Sequence, residues 1–297
     1  MKTSFDDFKI SRKFRMFFQR RKYLRLNEDF MVCVFLILII IYRFRFIHPQ
    51  HIAELFSCSN EEAWNFADKL VKRGYLVTKH LKESNVGFLV DGEGTYLFSI
   101  GRKGITFLRE YGIESCSGKR SKARASSNLF HDMLALLLVL KNADELRVSD
   151  FYPDFYIGQE TQGFIKKPDI FILDYDDRII WMEIERTPKA GKRLQLFFWD
   201  TLCSLFSRSV AEVHVFVPPR KNVNYEKIWG NDRFILAQNI NGMENLRDDP
   251  DSAIGFYHQG KATLLIHESN DLYTYRQFQG EKPDGIKLKR QRDPVKK

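Results

Sequence analysis

The sequence lacks the paired cysteines and histidines that mark many metal and disulfide sites. Its cysteines include no CxxC pair, its seven histidines no HxH pair, and no GxxxxGK[ST] loop occurs. A zinc site, a disulfide scaffold, a histidine-cluster metal site and a Walker-type ATP site are therefore not expected. The scattered cysteines suit a reducing compartment, so we expect a cytoplasmic location. They are Cys33, Cys58, Cys116 and Cys203.

Long hydrophobic runs are also missing. The longest, Phe30 to Tyr42, has thirteen residues, whereas a helix needs about 20 to cross a bilayer. Its basic flank resembles that of a signal peptide, but no small-residue cleavage site follows. The run predicts a buried helix and no membrane span, with a segment lying at a membrane surface as the alternative.

Positive charge is in excess and unevenly placed. The chain has 47 Lys and Arg against 38 Asp and Glu. Residues 1–25 hold nine basic and two acidic residues, residues 119–124 four and none, and residues 282–297 seven and two. Such clusters on mobile arms favour a polyanionic partner such as DNA, because Lys and Arg displace counterions from phosphates. Solubilising termini are the alternative.

The first half has the pattern of three helices followed by two strands. Residues 28–46 predict an apolar helix, a second begins near Pro49, and a third spans about 60–73. Residues 75–104 then predict a strand, a polar loop, a strand and the start of a short helix. This order predicts a winged helix-turn-helix domain over residues 28–112, preceded by a basic arm at residues 1–27.

In that fold the third helix faces the DNA groove. Its start carries Glu61, Glu62 and Asp68, which repel phosphate, so protein contact or dimerisation is the alternative use of the domain. The DNA-binding candidates are the cations at its end, those near the wing and those of the linker. They are Lys69, Lys72, Arg73, Lys79, Lys82, Lys119, Arg120, Lys122 and Arg124.

Beyond a linker at residues 113–127, the pattern changes to an α/β layer. A helix beginning near residue 128 precedes strands around Leu146 to Phe155, at "KPDIFILD" and at "RIIWMEIERT", then a helix from about Lys192 to Ser207 and the strand "EVHVFVPP". We expect this domain to span residues 128–270, with further strands at "RFILAQ" and "ATLLIHE", and residues 271–297 to form a basic tail.

Three carboxylates stand at the ends of two of these strands. Glu183 and Glu185, two apart, project from one sheet face, and Asp169 starts the neighbouring run. A hairpin between the runs brings all three to one edge. Their mutual repulsion favours a hard divalent cation, Mg²⁺ or Mn²⁺, which can activate water for phosphodiester cleavage.

Pro168-Asp169 and the strand end Glu183-Ile184-Glu185 resemble the PD-(D/E)XK nuclease superfamily, with its restriction-endonuclease-like fold. A winged helix before that core, with "HD" opening the first core helix, resembles the MOB-C plasmid mobilisation relaxases and the replication-relaxation family. The resemblance covers residues 28–217. It implies a DNA-nicking enzyme at a plasmid transfer origin, with Asp169, Glu183 and Glu185 as metal ligands.

The resemblance extends unevenly to other site residues. Glu185 stands where the superfamily usually has lysine, as in the MOB-C pattern, so Lys192 is the candidate cation for the scissile phosphate, ahead of Lys189. His131 occupies a position that faces the site in these families, although a lone histidine at a helix start is more often structural. Arg186 can contact phosphate or cap the next element.

These observations predict a plasmid mobilisation relaxase that nicks DNA with a divalent metal. Its expected partner is plasmid DNA, and an auxiliary mobilisation protein, a coupling protein and a second copy of the chain are further candidates. A noncatalytic DNA-binding replication or transcription regulator with a degenerate nuclease fold is the first alternative. An endonuclease that cuts both strands is the second.

Overall fold

The computed structural model describes residues 5–81, 95–113, 129–153, 168–184, 211–217 and 263–268. Over these residues the chain is a mixed α/β protein. The helices are α1 (Phe5–Gln19), α2 (Phe30–Phe44), α3 (Pro49–Phe56), α4 (Asn60–Lys72), α5 (Arg102–Glu110) and α6 (Leu129–Lys141), with a 3-10 turn at Arg21–Tyr23. The strands are β1 (Leu76–Leu81), β2 (Thr95–Ile100), β3 (Val148–Pro153), β4 (Ile170–Asp174), β5 (Ile179–Ile184), β6 (Glu212–Val217) and β7 (Thr263–Glu268).

Helices α2 to α5 and the β1–β2 pair follow the predicted order, and local chemistry explains their ends. Pro49 fills the first turn of α3, where its missing N–H costs nothing. Ser59 and Glu62 form a reciprocal capping box at the start of α4, which satisfies two backbone donors. After α4 the chain turns at Gly74, whose φ of +79° favours glycine. The strands β1 and β2 then pair antiparallel.

The second sheet has the order β3-β4-β5-β6-β7. β3, β4 and β5 are antiparallel neighbours, whereas β6 and β7 join in parallel. The β4–β5 turn is fixed by Asp174, whose carboxylate accepts hydrogen bonds from the backbone N–H groups of Asp176 and Arg178 at 2.9 and 2.8 Å. This turn sets the register of the hairpin, because turn geometry determines which residues face each other.

Helix α2 is the centre of the hydrophobic core. Every residue from Cys33 to Phe44 is buried, as expected for an interior helix that is apolar all round. Its buried side chains join those of α6 and of one sheet face, including Ile172 and Met182, in a single cluster. The prediction of a buried helix is therefore confirmed. Among the described residues, no helix is long and apolar enough to cross a membrane.

Helix α1 differs from the prediction of a mobile basic arm over residues 1–27. Phe14 and Phe18 are fully buried, and both rings pack on Phe151 of β3, with centroids 5.8 and 5.4 Å away. The basic residues on the other faces of α1 make this apolar stripe difficult to recognise from the sequence. Burial of two Phe side chains contributes roughly 1.5–3 kcal/mol each, which is enough to hold the helix on the sheet.

Several predicted elements lie outside the described residues. These are most of the linker at 113–127, the helix from about Lys192 to Ser207, the strand "RFILAQ" and the tail at 271–297. The predicted first core helix and the strands near residues 146–155, 170–174, 179–184, 212–217 and 263–268 are present as α6 and β3 to β7.

Candidate active site at the end of the β4–β5 hairpin

The hairpin register brings Asp169 beside Glu183. Ile170 pairs with Met182 and Phe171 with Trp181, so the next position along β4 lies opposite Glu183. Because side chains alternate along a strand, Asp169 and Glu183 belong to the same sheet face, the one that carries Trp181. The backbone N–H of Ile184 donates a hydrogen bond of 2.7 Å to Asp169 Oδ2, which ties the aspartate to the end of β5.

Glu183 is a buried carboxylate. It is 3% exposed and pairs with Val215 across the parallel β5–β6 junction. Trp181, on the same face, is fully buried and packs edge-on against Phe171. Charge at this depth is costly unless cations or hydrogen-bond donors compensate it. Acids in such surroundings are more typical of sites than of ordinary strand ends.

His131, in the first turn of α6, contacts the same aspartate. Its Nε2 lies 3.2 Å from Asp169 Oδ2, and its Nδ1 lies 4.0 Å from Asp132 Oδ1. The His131 and Asp169 side chains are 19% and 26% exposed, so both reach solvent while being held by the fold. An Nε2–H donor at this position would orient the carboxylate, and Nδ1 stays on the side of Asp132.

The carboxylate oxygens of Asp169 and Glu183 are hard donors of the kind that Mg²⁺ and Mn²⁺ prefer. The pair therefore fits part of the predicted metal site. Within the ranges the structure describes, no set of three or more acidic, histidine or cysteine side chains is arranged to hold a metal. The predicted third ligand, Glu185, lies outside those ranges, as do Arg186 and Lys192.

Three of the predicted DNA-binding cations contact other residues of the protein. Lys69 Nζ donates to Asn27 Oδ1 at 2.8 Å, and Lys72 forms an ion pair with Asp68. Arg73 lies over the Phe30 ring, 4.6 Å from its centroid. Burial lowers the pKa of Lys79 on β1. The candidates Lys82, Lys119, Arg120, Lys122 and Arg124 fall outside the described residues.

One hydrogen-bond donor of the site could not be identified from sequence motifs. The backbone N–H of Ile184 fixes the Asp169 carboxylate, and any residue type except proline supplies such a donor. Only the predicted hairpin, with its register, could have indicated it.

Comparison with protein-family models, with curated proteins and with solved structures found no match. The geometry of the chain's own residues is thus the basis for any statement about function.

Proposed function

We propose that this protein is a plasmid mobilisation relaxase that binds DNA at a transfer origin and nicks one strand with Mg²⁺ or Mn²⁺. The observation that carries the proposal is the meeting of Asp169, Glu183 and His131 at one end of the β4–β5 hairpin. In this proposal the sheet and α6 form a PD-(D/E)XK nuclease core, and α2 to α5 with β1–β2 form a winged helix-turn-helix domain.

Asp169 and Glu183 would hold the ion with Glu185. Bound there, a divalent ion polarises a phosphoryl oxygen and lowers the pKa of bound water. Other residues of the chain orient the metal ligands and contact the phosphate. Ile184 N–H and His131 keep the Asp169 carboxylate in one orientation, as outer hydrogen-bond partners commonly do for metal ligands. Lys192 is the candidate to contact the scissile phosphate, and Arg186 is a second candidate for a phosphate contact.

DNA affinity in this proposal comes mainly from the basic clusters at residues 119–124 and 282–297 and from exposed cations of residues 1–25 such as Arg12 and Arg20, whose charge acts on phosphates. The protein would act in the cytoplasm on plasmid DNA. An auxiliary mobilisation protein, a coupling protein or a second copy of the chain would complete the assembly.

Supercoiled plasmid carrying the transfer origin tests the proposal. With Mn²⁺, the wild-type protein should convert supercoiled DNA to open circles, and a chelator should stop the reaction. Asp169→Asn and Glu183→Gln should each reduce nicking by about 10³-fold or more, because each removes charge from a site that acts through charge. Asp176→Asn, at the opposite end of the same hairpin, is the matched control and should nick normally.

The other possible outcomes of this experiment would support different functions. Linear product instead of open circles would identify a double-strand endonuclease. Plasmid binding without cleavage under Mg²⁺ or Mn²⁺ would favour the noncatalytic regulator, and normal nicking by both site variants would remove the carboxylates from the chemistry.

A further inference from the structure

Two aromatic side chains are exposed side by side on the surface of α4 and β2. Trp64 is 39% exposed and Tyr96 is 41% exposed. Their ring centroids lie 5.9 Å apart with an interplanar angle of 78°, so the two rings form two walls of a corner. Exposed aromatic residues that adjoin one another often mark a binding surface, whereas single ones need no explanation.

Neighbouring side chains hold Trp64 in place. Trp64 packs edge-on against Phe98, with centroids 5.8 Å apart, and Phe98 is 3% exposed. The ring of His48, before α3, also contacts the indole, with centroids 6.4 Å apart. The capping box of Ser59 and Glu62 fixes the first turn of the helix that carries Trp64. A surface held in this way loses little entropy when it binds a partner.

The surroundings of Trp64 are acidic. From Asn60 to Asp68 the exposed charged residues of α4 are Glu61, Glu62 and Asp68, and the cations Lys69 and Lys72 follow in its last turn. Hydrogen bonds from the Ser59 backbone N–H and hydroxyl lower the pKa of Glu62, which keeps that carboxylate ionised. Asp68 is paired with Lys72. Glu61 lies one helical turn before Trp64, on the same side of the helix.

An aromatic corner with a carboxylate beside it suits a guanidinium or ammonium group. Cations bind over indole and phenol rings, and arginine does so more often than lysine. The same carboxylates repel a phosphate backbone, so this face is unfavourable for DNA even though its position on α4 is the one that helix-turn-helix proteins use for base contact. Charge complementarity therefore favours a positively charged partner over DNA.

We infer that the Trp64 surface, defined by Glu61, Trp64 and Tyr96, is a docking site for an arginine- and lysine-rich protein segment. An arginine side chain of the partner lies in the corner between the two rings and its guanidinium contacts Glu61. This inference does not depend on the proposed nicking activity, since the hairpin acids take no part in it.

Fluorescence anisotropy of a labelled synthetic peptide of alternating arginine and alanine tests the inference on the full chain. The peptide should bind, and its citrulline counterpart, which keeps the shape but lacks the charge, should bind far more weakly. Trp64→Ala should weaken peptide binding about tenfold, as loss of a desolvated cation–π contact predicts. Glu61→Gln should weaken it about two- to fivefold, with less dependence on salt.

Matched controls keep the test decisive. Tyr175 is 41% exposed and lies in the turn between β4 and β5, so Tyr175→Ala should leave peptide binding unchanged, as should Glu110→Gln. Trp64→Phe keeps a ring and should retain most of the affinity. This variant also separates loss of the contact from loss of folding, which thermal melting of each variant monitors.

The inference fails if Trp64→Ala binds the peptide like the wild type, or if the arginine and citrulline peptides bind equally. It also fails if Trp64→Ala weakens binding to a DNA duplex and not to the peptide, because the surface would then be a nucleic-acid site. Glu61→Gln should instead leave duplex binding unchanged or raise it.

Discussion

Asp150 and Asp169 belong to the same sheet but are held in different ways. Asp150 on β3 is fully buried and accepts hydrogen bonds from Arg43, Ser11 and the Tyr152 hydroxyl. Arg43 itself lies between the rings of Phe14 and Tyr152, 4.4 and 4.2 Å from their centroids. Asp169 is 26% exposed and rests on a backbone N–H and a histidine.

The difference separates a structural acid from a candidate catalytic one. Around Asp150, the guanidinium of Arg43, the Arg15 Nε at 3.7 Å, two hydroxyls and a backbone N–H at 2.9 Å surround the carboxylate, which is the condition for burying charge at a tolerable cost. Asp169 keeps a path to solvent and hence to a substrate. A carboxylate that reaches solvent near a second, buried carboxylate is able to meet a cation, whereas one enclosed by arginine is not.

The largest effect on the free energy of unfolding should come from a substitution in the buried Arg43–Asp150 pair. Arg43→Met removes the guanidinium and leaves Asp150 buried, which should lower the free energy of unfolding by about 3–5 kcal/mol. Urea denaturation measures this change. The double variant Arg43→Met with Asp150→Leu should recover much of the loss, since no charge then stays buried. A loss below about 1 kcal/mol in the single variant would mean that the pair does not hold α2 to β3.

Acid should act where α3 meets α6. His51 donates from Nε2 to the Met133 carbonyl oxygen at 3.0 Å and accepts the His48 N–H at Nδ1. Burial lowers the pKa of His51 to about 3 and that of His48 to about 4. Below pH 6.5 the unfolded chain therefore takes up protons that the folded chain does not.

This stability is fully present above pH 6.5 and is lost as the pH falls toward the folded-state pKa values. We expect the free energy of unfolding to drop by about 2–3 kcal/mol between pH 6.5 and 5. Urea titrations at several pH values measure it, and His51→Gln should flatten the dependence. A flat profile for the wild type would show that the two imidazoles are not buried in neutral form.

The smallest effect on stability should come from Asp169. Asp169→Asn keeps an oxygen that can accept the Ile184 N–H, and the side chain is partly exposed, so the free energy of unfolding should change by less than about 1 kcal/mol. Urea denaturation beside Arg43→Met makes the comparison direct. A loss as large as that of Arg43→Met would give Asp169 a structural role like that of Asp150.

The sequence predicts the candidate site better than the structural cluster because the site is local. Asp169 and Glu183 belong to one hairpin, and strand alternation with a turn at Asp174 is enough to bring them together. Arg43 and Asp150 are far apart in the chain, and no periodic pattern connects a helix interior with an edge strand. Their pairing depends on tertiary packing alone.

Helix α1 escaped prediction for a related reason. Charged residues interrupt a regular apolar pattern along α1, and the packing of Phe14 and Phe18 depends on Phe151 being nearby. The same limit applies to the order of the sheet, where β6 and β7 join in parallel beyond β5. Parallel pairing is set by the connecting chain and not by the strand sequences.

Helix α2 belongs to both halves of the chain at once. Phe35 packs against Tyr111 after α5, with centroids 5.0 Å apart, whereas Phe44 packs against Phe151 of the sheet at 5.8 Å. If the chain were cut between the helical half and the sheet, the apolar face of the sheet that contacts α2 would be exposed in one fragment. The apolar side chains of α2 would be exposed in the other. An exchange of the helical half for that of another protein would therefore succeed only if the new α2 also fits β3.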